Sequence, residues 1–357
     1  MTSPEPHTPW PKAVAMGVIG AVIVSLVVLA FLWPSMTSKP KDLPVDVVAS
    51  EQVFEQFTSQ AGHAAEAQGQ DLPFEFNRVG TRDEAVDAIE ARDVYGAFVL
   101  PSAPGGKMEV LTAKAANTQV ATMLSSTADG MVAAQAAQLP AGAPADQRIA
   151  ALQAAAAGAE VTDIVSLSED DPNGTGFALA ALPLTIGGIL GGVITSLALK
   201  GTWRRLVGVL TYSVVGSAAL FGILDLWFNL TPGPVYLVWP TIALSLAATA
   251  SVIVGLHSLL GPPGIGVGAI LTMFIGNPLA GAQAPKEFLP GPFGEIGQLF
   301  VPGATGTLLR DVSYFPEAST LAPWLTLTAW AAAGLLLIVF AHHRNGRGAD
   351  SAEPAAS

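Results

Sequence analysis

Apolar residues in this chain gather into long unbroken runs, set apart by one extended polar stretch. A bilayer core is about 30 Å thick, so a spanning helix needs about 20 mostly apolar residues. Six runs meet or approach that length, at 13–33, 177–199, 206–228, 235–259, 264–282 and 323–341. The third contains one charge, Asp225, and the fifth is short and carries Asn277 and Pro278. The pattern predicts an α-helical polytopic membrane protein with six transmembrane helices. A cleaved leader is the alternative for the first run, but it ends in Phe31, Leu32, Trp33 and Pro34 with no small-x-small site, which favours an uncleaved anchor.

Between runs one and two, residues 34–176 read as an α/β domain and linker. Residues 44–49 (PVDVVA), 74–79 (FEFNRV), 94–100 (VYGAFVL) and 107–112 have the alternating or continuous apolar character of strands. Residues 50–68 show helical spacing of Val53, Phe54 and Phe57, and Thr81 with Glu84 has the spacing of a capping box ahead of a second helix. Ala-rich helices are expected at 117–138 and 146–157, broken apart at 139–144, and residues 159–176 read as a polar linker back to the membrane. The segment 41–165 is expected to fold without the membrane helices.

Lys and Arg in short segments set orientation. The connection after run two holds Lys200, Arg204 and Arg205, and the tail after run six holds Arg344 and Arg347. Placing both inside puts the tail 1–12 and the tail 342–357 in the cytoplasm and residues 34–176 outside. The predicted location is the plasma membrane, multi-pass, with both termini cytoplasmic and an extracytoplasmic domain inserted between helices one and two.

Composition sharpens this picture. Of 357 residues, 51% are hydrophobic and only 12% are charged, about half the share in soluble proteins. Sixteen basic against 28 acidic residues give a net charge of −12, which excludes a nucleic-acid partner. Most of the charge lies in 34–176. With no Cys there is no thiolate chemistry. No phosphate loop, HExxH or GxSxG motif is present, and the five His are scattered, so no enzyme activity, cofactor or metal is expected.

What chemistry the sequence offers lies in the membrane part. Asp225 is an acid within a span, a candidate for a transport path, although it lies close enough to the span end to reach the interface. Gly187, Gly188, Gly191 and Gly192 form overlapping GxxxG pairs that mark close helix packing, either within the chain or between copies. Residues 276–310 are too broken by proline to span and too apolar for a free loop. Within a segment 283–322 they predict a re-entrant element that closes the outer end of the bundle, with Asn277, Pro278, Glu287, Glu295 and Arg310 as candidate path or gating residues. Phe288, Phe293, Leu299 and Phe300 are expected to face lipid or the helix bundle.

This segment resembles the region before the last span of ABC-2-type permeases, especially the YhgE/Pip (phage infection protein) family and its actinobacterial relatives. Residues 94–101 (VYGAFVLP) resemble the strand-plus-Pro motif of that family's outer domain, and the helix after Asn117 fits the same pattern. The resemblance implies one helix, a large outer domain and five further helices. It also implies a homodimer in the bilayer and an export function for an apolar or amphipathic substrate such as a lipid or drug. In such exporters a separate ATPase subunit docks on the cytoplasmic loops. Here those loops are only about six and four residues. The other reading is a non-transporting envelope receptor or scaffold whose outer domain binds a partner.

Overall fold

The computed structural model describes residues 10–67, 69, 71–101, 106–137, 144–281 and 284–350. Most of the predicted N-terminal tail, part of the turn at 104–106, the break at 139–143 and the last seven residues lie outside them.

Apolar runs of this length fold as helices because a helix satisfies every backbone group within itself. Among the described residues, five helices are long and apolar enough to cross a membrane: Trp10–Pro34, Thr175–Ala198, Thr202–Trp227, Val235–Leu260 and Leu321–Arg344. They belong to α1 (Trp10–Thr37), α6 (Thr175–Ala198), α7 (Thr202–Phe221, continued by a π-helical turn Gly222–Trp227), α8 (Val235–Leu260) and α12 (Leu321–Asp350).

The fifth predicted span corrects to something shorter. Residues 264–282 are not a spanning helix. Their helical part is α9 (Pro263–Ala269), which continues into a π-helical stretch Ile270–Gly276. At 1.5 Å per residue the 14-residue helix Pro263–Gly276 rises about 21 Å, short of the hydrocarbon thickness. Pro278, with no N–H to give, prevents the helix from continuing.

The bundle is built around α8, which packs on α6, α7, α9, α12 and the buried helix α11 (Val301–Tyr314). Val238, Ile242, Leu246, Ile253 and Val254 of α8 are fully buried. Small residues allow the close approach. A Cβ at Gly188 would lie 2.6 Å from Thr249, one at Gly191 2.0 Å from the Tyr212 ring, and one at Gly192 2.8 Å from Ile253. Gly187 accepts the Tyr212 hydroxyl at its carbonyl (2.5 Å). The four glycines therefore seat α6 on α7 and α8 of the same chain. By contrast, α1 is exposed along most of its length and touches the bundle near its end, through Phe31 on Phe274 and Trp33 on Phe293.

The sheet lies in the chain between α1 and α6. It contains β1 (Leu43–Val48), β2 (Phe74–Val79), β3 (Gly96–Val99), β4 (Glu109–Thr112) and β5 (Glu160–Asp163), in the order β2-β1-β3-β4-β5. All neighbours are parallel except β3 and β4. β5 falls in what the sequence presents as linker. It is a four-residue edge strand of mixed polarity, with no apolar alternation to betray it. Helix α2 (Glu51–Ala67) follows β1, and α3 (Arg82–Glu90) follows β2. The Thr81 and Glu84 capping box is present, with Glu84 N–H on Thr81 Oγ1 and Thr81 N–H on Glu84 Oε2. Helices α4 (Thr118–Ala137) and α5 (Ala145–Ala157) complete the domain.

Strand alternation sends Leu43, Val45, Val47, Phe98 and Val110 to one face, packed with Phe57 and Leu124. Ala97 and Leu111 go to the other, packed with Ala85 and Ile89 of α3. Each face also takes a phenylalanine from the segment between α9 and α12. Phe288 is buried in the first core and Phe315 in the second. The sequence places Phe288 against lipid or the bundle; it instead fills the sheet domain, and the Lys39 N–H donates to its carbonyl (3.0 Å).

The rest of that segment forms a hairpin within the bundle. A short α10 (Phe293–Gln298) runs away from the sheet, the chain turns at Leu299 and Phe300, and α11 returns. The turn meets the middle of α12, where Trp330 Nε1 donates to the Leu299 carbonyl (2.7 Å) and its ring stacks on Phe300. Thr305 donates to Ser245 of α8 (2.8 Å) midway along α11, and Tyr314 at its end donates to the Leu230 carbonyl (3.0 Å).

Candidate functional site: the junction of sheet and bundle

The starts of β1 and β3 and the end of β4 face the bundle, so the loops there form the junction. The loop before β3 begins with an unusual helix end. Arg92 N–H bonds the Ile89 carbonyl and Asp93 N–H the Ala88 carbonyl, which is the Schellman pattern. The left-handed position in that pattern is usually glycine, but here it is Arg92, with φ +60°. A side chain there costs on the order of 1 kcal/mol. What the cost achieves is direction: Arg92 reaches out of the sheet domain to α11, where Nη1 donates to Asp311 Oδ1 and the guanidinium lies over the Phe315 ring (5.7 Å to the centroid). Asp311 is only 3% exposed. A carboxylate buried to that degree needs such a partner.

Arg310, the preceding residue, points differently. Its Nη1 donates to the carbonyls of Ala115 and Ala116, in the loop after β4, and its guanidinium lies over the Phe177 ring (5.1 Å). Among the described residues no carboxylate lies within ion-pair distance of it. Phe177 is held at the first turn of α6, where its N–H donates to the buried Asp171 carboxylate (2.9 Å), which satisfies one of the helix's free N–H groups. Tyr95 immediately precedes β3, and its hydroxyl donates to Glu287 Oε2 (2.8 Å). Burial first, and the Glu287 charge second, hold the Tyr95 hydroxyl far above the ordinary phenol range. Nearby on β1, burial and the charge of Asp93 push the Asp46 carboxyl up to about 6.

These groups surround a cavity of about 430 Å³ between the sheet domain and the bundle. Its charged and polar wall includes Arg92, Asp93, Tyr95, Glu287, Arg310 and Asp311. Lys286, Gln298 and Thr307 also line it, and the small residues Ala178, Ala181, Ala280, Gly281 and Gly306 leave the space open. A second hollow of about 360 Å³ lies on the other side of Arg310, lined by Lys114, Asn117, Thr118 and Thr175.

Of the residues singled out in the sequence, the structure brings Glu287 and Arg310 together at this cavity. It does not bring the others. Glu295 pairs with Lys286 (2.8 Å) on an exposed edge. Asp225 lies in the π-helical turn and accepts from the Thr231 hydroxyl (3.3 Å). Asn277 and Pro278 end the π-helical stretch just before Ala280 and Gly281. Sequence reasoning missed Arg92 and Tyr95 as site residues. The signal for Arg92 was a helix end at residues 91–93 without glycine, and for Asp311 a charge beside Arg310 in an apolar helix.

A scan against protein-family models, a search of curated proteins and a search of solved structures each found no match for this chain.

Proposed function

We propose that this protein is a membrane component that moves an apolar or amphipathic molecule, such as a lipid or drug, out of the bilayer or across it. The sheet domain then stands on the outer face, both termini lie inside, and the α10–α11 hairpin is a re-entrant element entering from outside. The observation that carries this reading is the junction cavity. Charged and polar groups from both the sheet domain (Arg92, Asp93, Tyr95) and the segment between α9 and α12 (Glu287, Arg310, Asp311) line it beside small residues of α6 (Ala178, Ala181), and it sits where the helices are too short or too broken to span. Pockets between packed elements with a few convergent polar groups are the usual form of a ligand site. π-helical stretches, of which α7 and α9 carry one each, often accompany function.

The resemblance to ABC-2-type permeases and the YhgE/Pip family supports export and a homodimer, and the exposed length of α1 leaves a face for lipid or a second copy. It does not extend comfortably to an ATPase partner. The connections at the end of the bundle away from the sheet are only 199–201 and 261–262. Arg205 is occupied in capping α6, donating to the Leu199 carbonyl (3.0 Å) and to Ser258 (2.8 Å). One observation favours the receptor or scaffold reading instead. Phe288 and Phe315 fasten the sheet domain to the bundle, so it is no loosely hinged lid.

Proteoliposomes holding the purified full chain and a fluorescent phospholipid decide between the two. With an impermeant quencher added outside, export activity should accelerate the movement of inner-leaflet probe to the outside over protein-free vesicles. A folded protein that gives no acceleration would favour the scaffold.

A further inference from the structure

The charges at the junction are not all matched. Arg92 is taken by Asp311, and Lys286 by Glu295. Besides Asp93, which is exposed to solvent, two groups lining the cavity have no oppositely charged partner within ion-pair distance among the described residues. They are Arg310, which has only carbonyl acceptors and the Phe177 ring, and Glu287, which has only the Tyr95 hydroxyl. Both line the cavity together with Tyr95, whose hydroxyl donates to Glu287. Asp93 lies exposed at the rim. The cavity thus offers a cation and an anion in one lining, with small residues such as Ala178, Ala181 and Gly306 beside them.

A ligand with a net charge would leave one of these two groups uncompensated in a poorly solvated place, which is costly. A zwitterion compensates both. We propose that the junction cavity binds the headgroup of an aminophospholipid, its phosphate on Arg310 and its primary ammonium on Glu287, with the acyl chains leaving along α6. Arginine suits phosphate because its planar fork donates several hydrogen bonds at once. A primary ammonium donates N–H bonds to a carboxylate, which a quaternary one cannot. This names the substrate class for the export reading and rests on it for the lipid's path.

Gly306 gives the site its own test. It lies inside α11, where glycine costs about 1 kcal/mol relative to alanine, and a Cβ there would meet nothing within 4 Å. The space beside it is the cavity. Gly306→Leu should therefore fill the site without disturbing the packing.

The experiment is native mass spectrometry of the full chain in detergent, with dioleoyl phosphatidylethanolamine, phosphatidylglycerol or phosphatidylcholine added. The wild type should retain phosphatidylethanolamine about tenfold better than either other lipid, the size expected of one charge-assisted hydrogen bond. Glu287→Gln should abolish the preference over phosphatidylglycerol, Arg310→Gln should weaken both, and Gly306→Leu should remove binding while the melting temperature holds. Equal retention of all three lipids, or retention that survives Gly306→Leu, overturns the proposal. If free phosphoethanolamine binds as tightly as the lipid, the ligand is a soluble aminophosphate and the lipid assignment falls. Binding without transbilayer movement would sink the export reading and leave the site standing. Failure to bind would sink the site whatever the flux.

Discussion

Arg92→Ala is expected to destabilise the protein by about 3–5 kcal/mol, the usual consequence of stranding one partner of a buried ion pair. Asp311 loses both its hydrogen bond and its counter-charge while remaining buried, and Phe315 loses the guanidinium over its ring. Two companions separate the causes. Arg92→Gly removes the same charge but relaxes the left-handed backbone, so it should be less harmful than alanine by on the order of 1 kcal/mol. Arg92→Ala combined with Asp311→Leu should recover much of the loss, because no buried charge is left unpaired. Thermal unfolding in detergent reads all three. A loss below about 1 kcal/mol in both single variants would mean that Asp311 finds water or Arg310 instead.

The second large effect concerns the two phenylalanines that the membrane part lends to the sheet domain. Phe315 is 1% exposed and Phe288 4%. Truncating either to alanine should cost about 3–5 kcal/mol, the range for buried aromatic residues that leave a cavity. They occupy opposite faces of the sheet, so the two losses should add to within about half a kcal/mol. Hydrogen exchange should localise the damage, with faster exchange in β1, β3 and β4 for both variants. The same geometry predicts the opposite of an expectation from the sequence. A fragment of residues 41–165 lacks both phenylalanines and should melt without cooperativity, whereas adding them back within the full chain restores the transition. A sharp, independent unfolding transition in the fragment would show that the two rings merely decorate a self-sufficient core.

How much of this was readable in advance follows from where the information lies. The long apolar runs and the capping box at Thr81 are local patterns, and the helices and α3 appear where those patterns put them. Strands β2 to β4 fall within the apolar segments expected of them and β1 starts one residue early at Leu43, because each contributes side chains to a buried face. β5 escaped because an edge strand with one neighbour and little buried surface needs no apolar alternation. The fifth run escaped because its composition is that of a span, while its 14-residue helix and Pro278 make it too short. At the site, Glu287 and Arg310 stood out as charges among apolar residues. Their partners did not: Arg92 meets Asp311 across 219 positions of sequence and Tyr95 meets Glu287 across 192. Nothing local reports a contact between a strand loop and a helix so far along the chain. Phe288 misled for the same reason, since an apolar ring suits lipid and a protein core equally well.

The proposed arrangement, with sheet domain and cavity on the outer face and the short connections inside, is tested most directly by labelling single cysteines. The chain has no Cys of its own, so each introduced thiol reports alone. Glu66 is exposed on α2 and Lys200 is exposed between α6 and α7. In intact cells an impermeant maleimide should label Glu66→Cys and should reach Lys200→Cys only after permeabilisation. Labelling of Lys200→Cys in intact cells, with Glu66→Cys protected until the membrane is opened, would place the cavity on the cytoplasmic side and contradict the account.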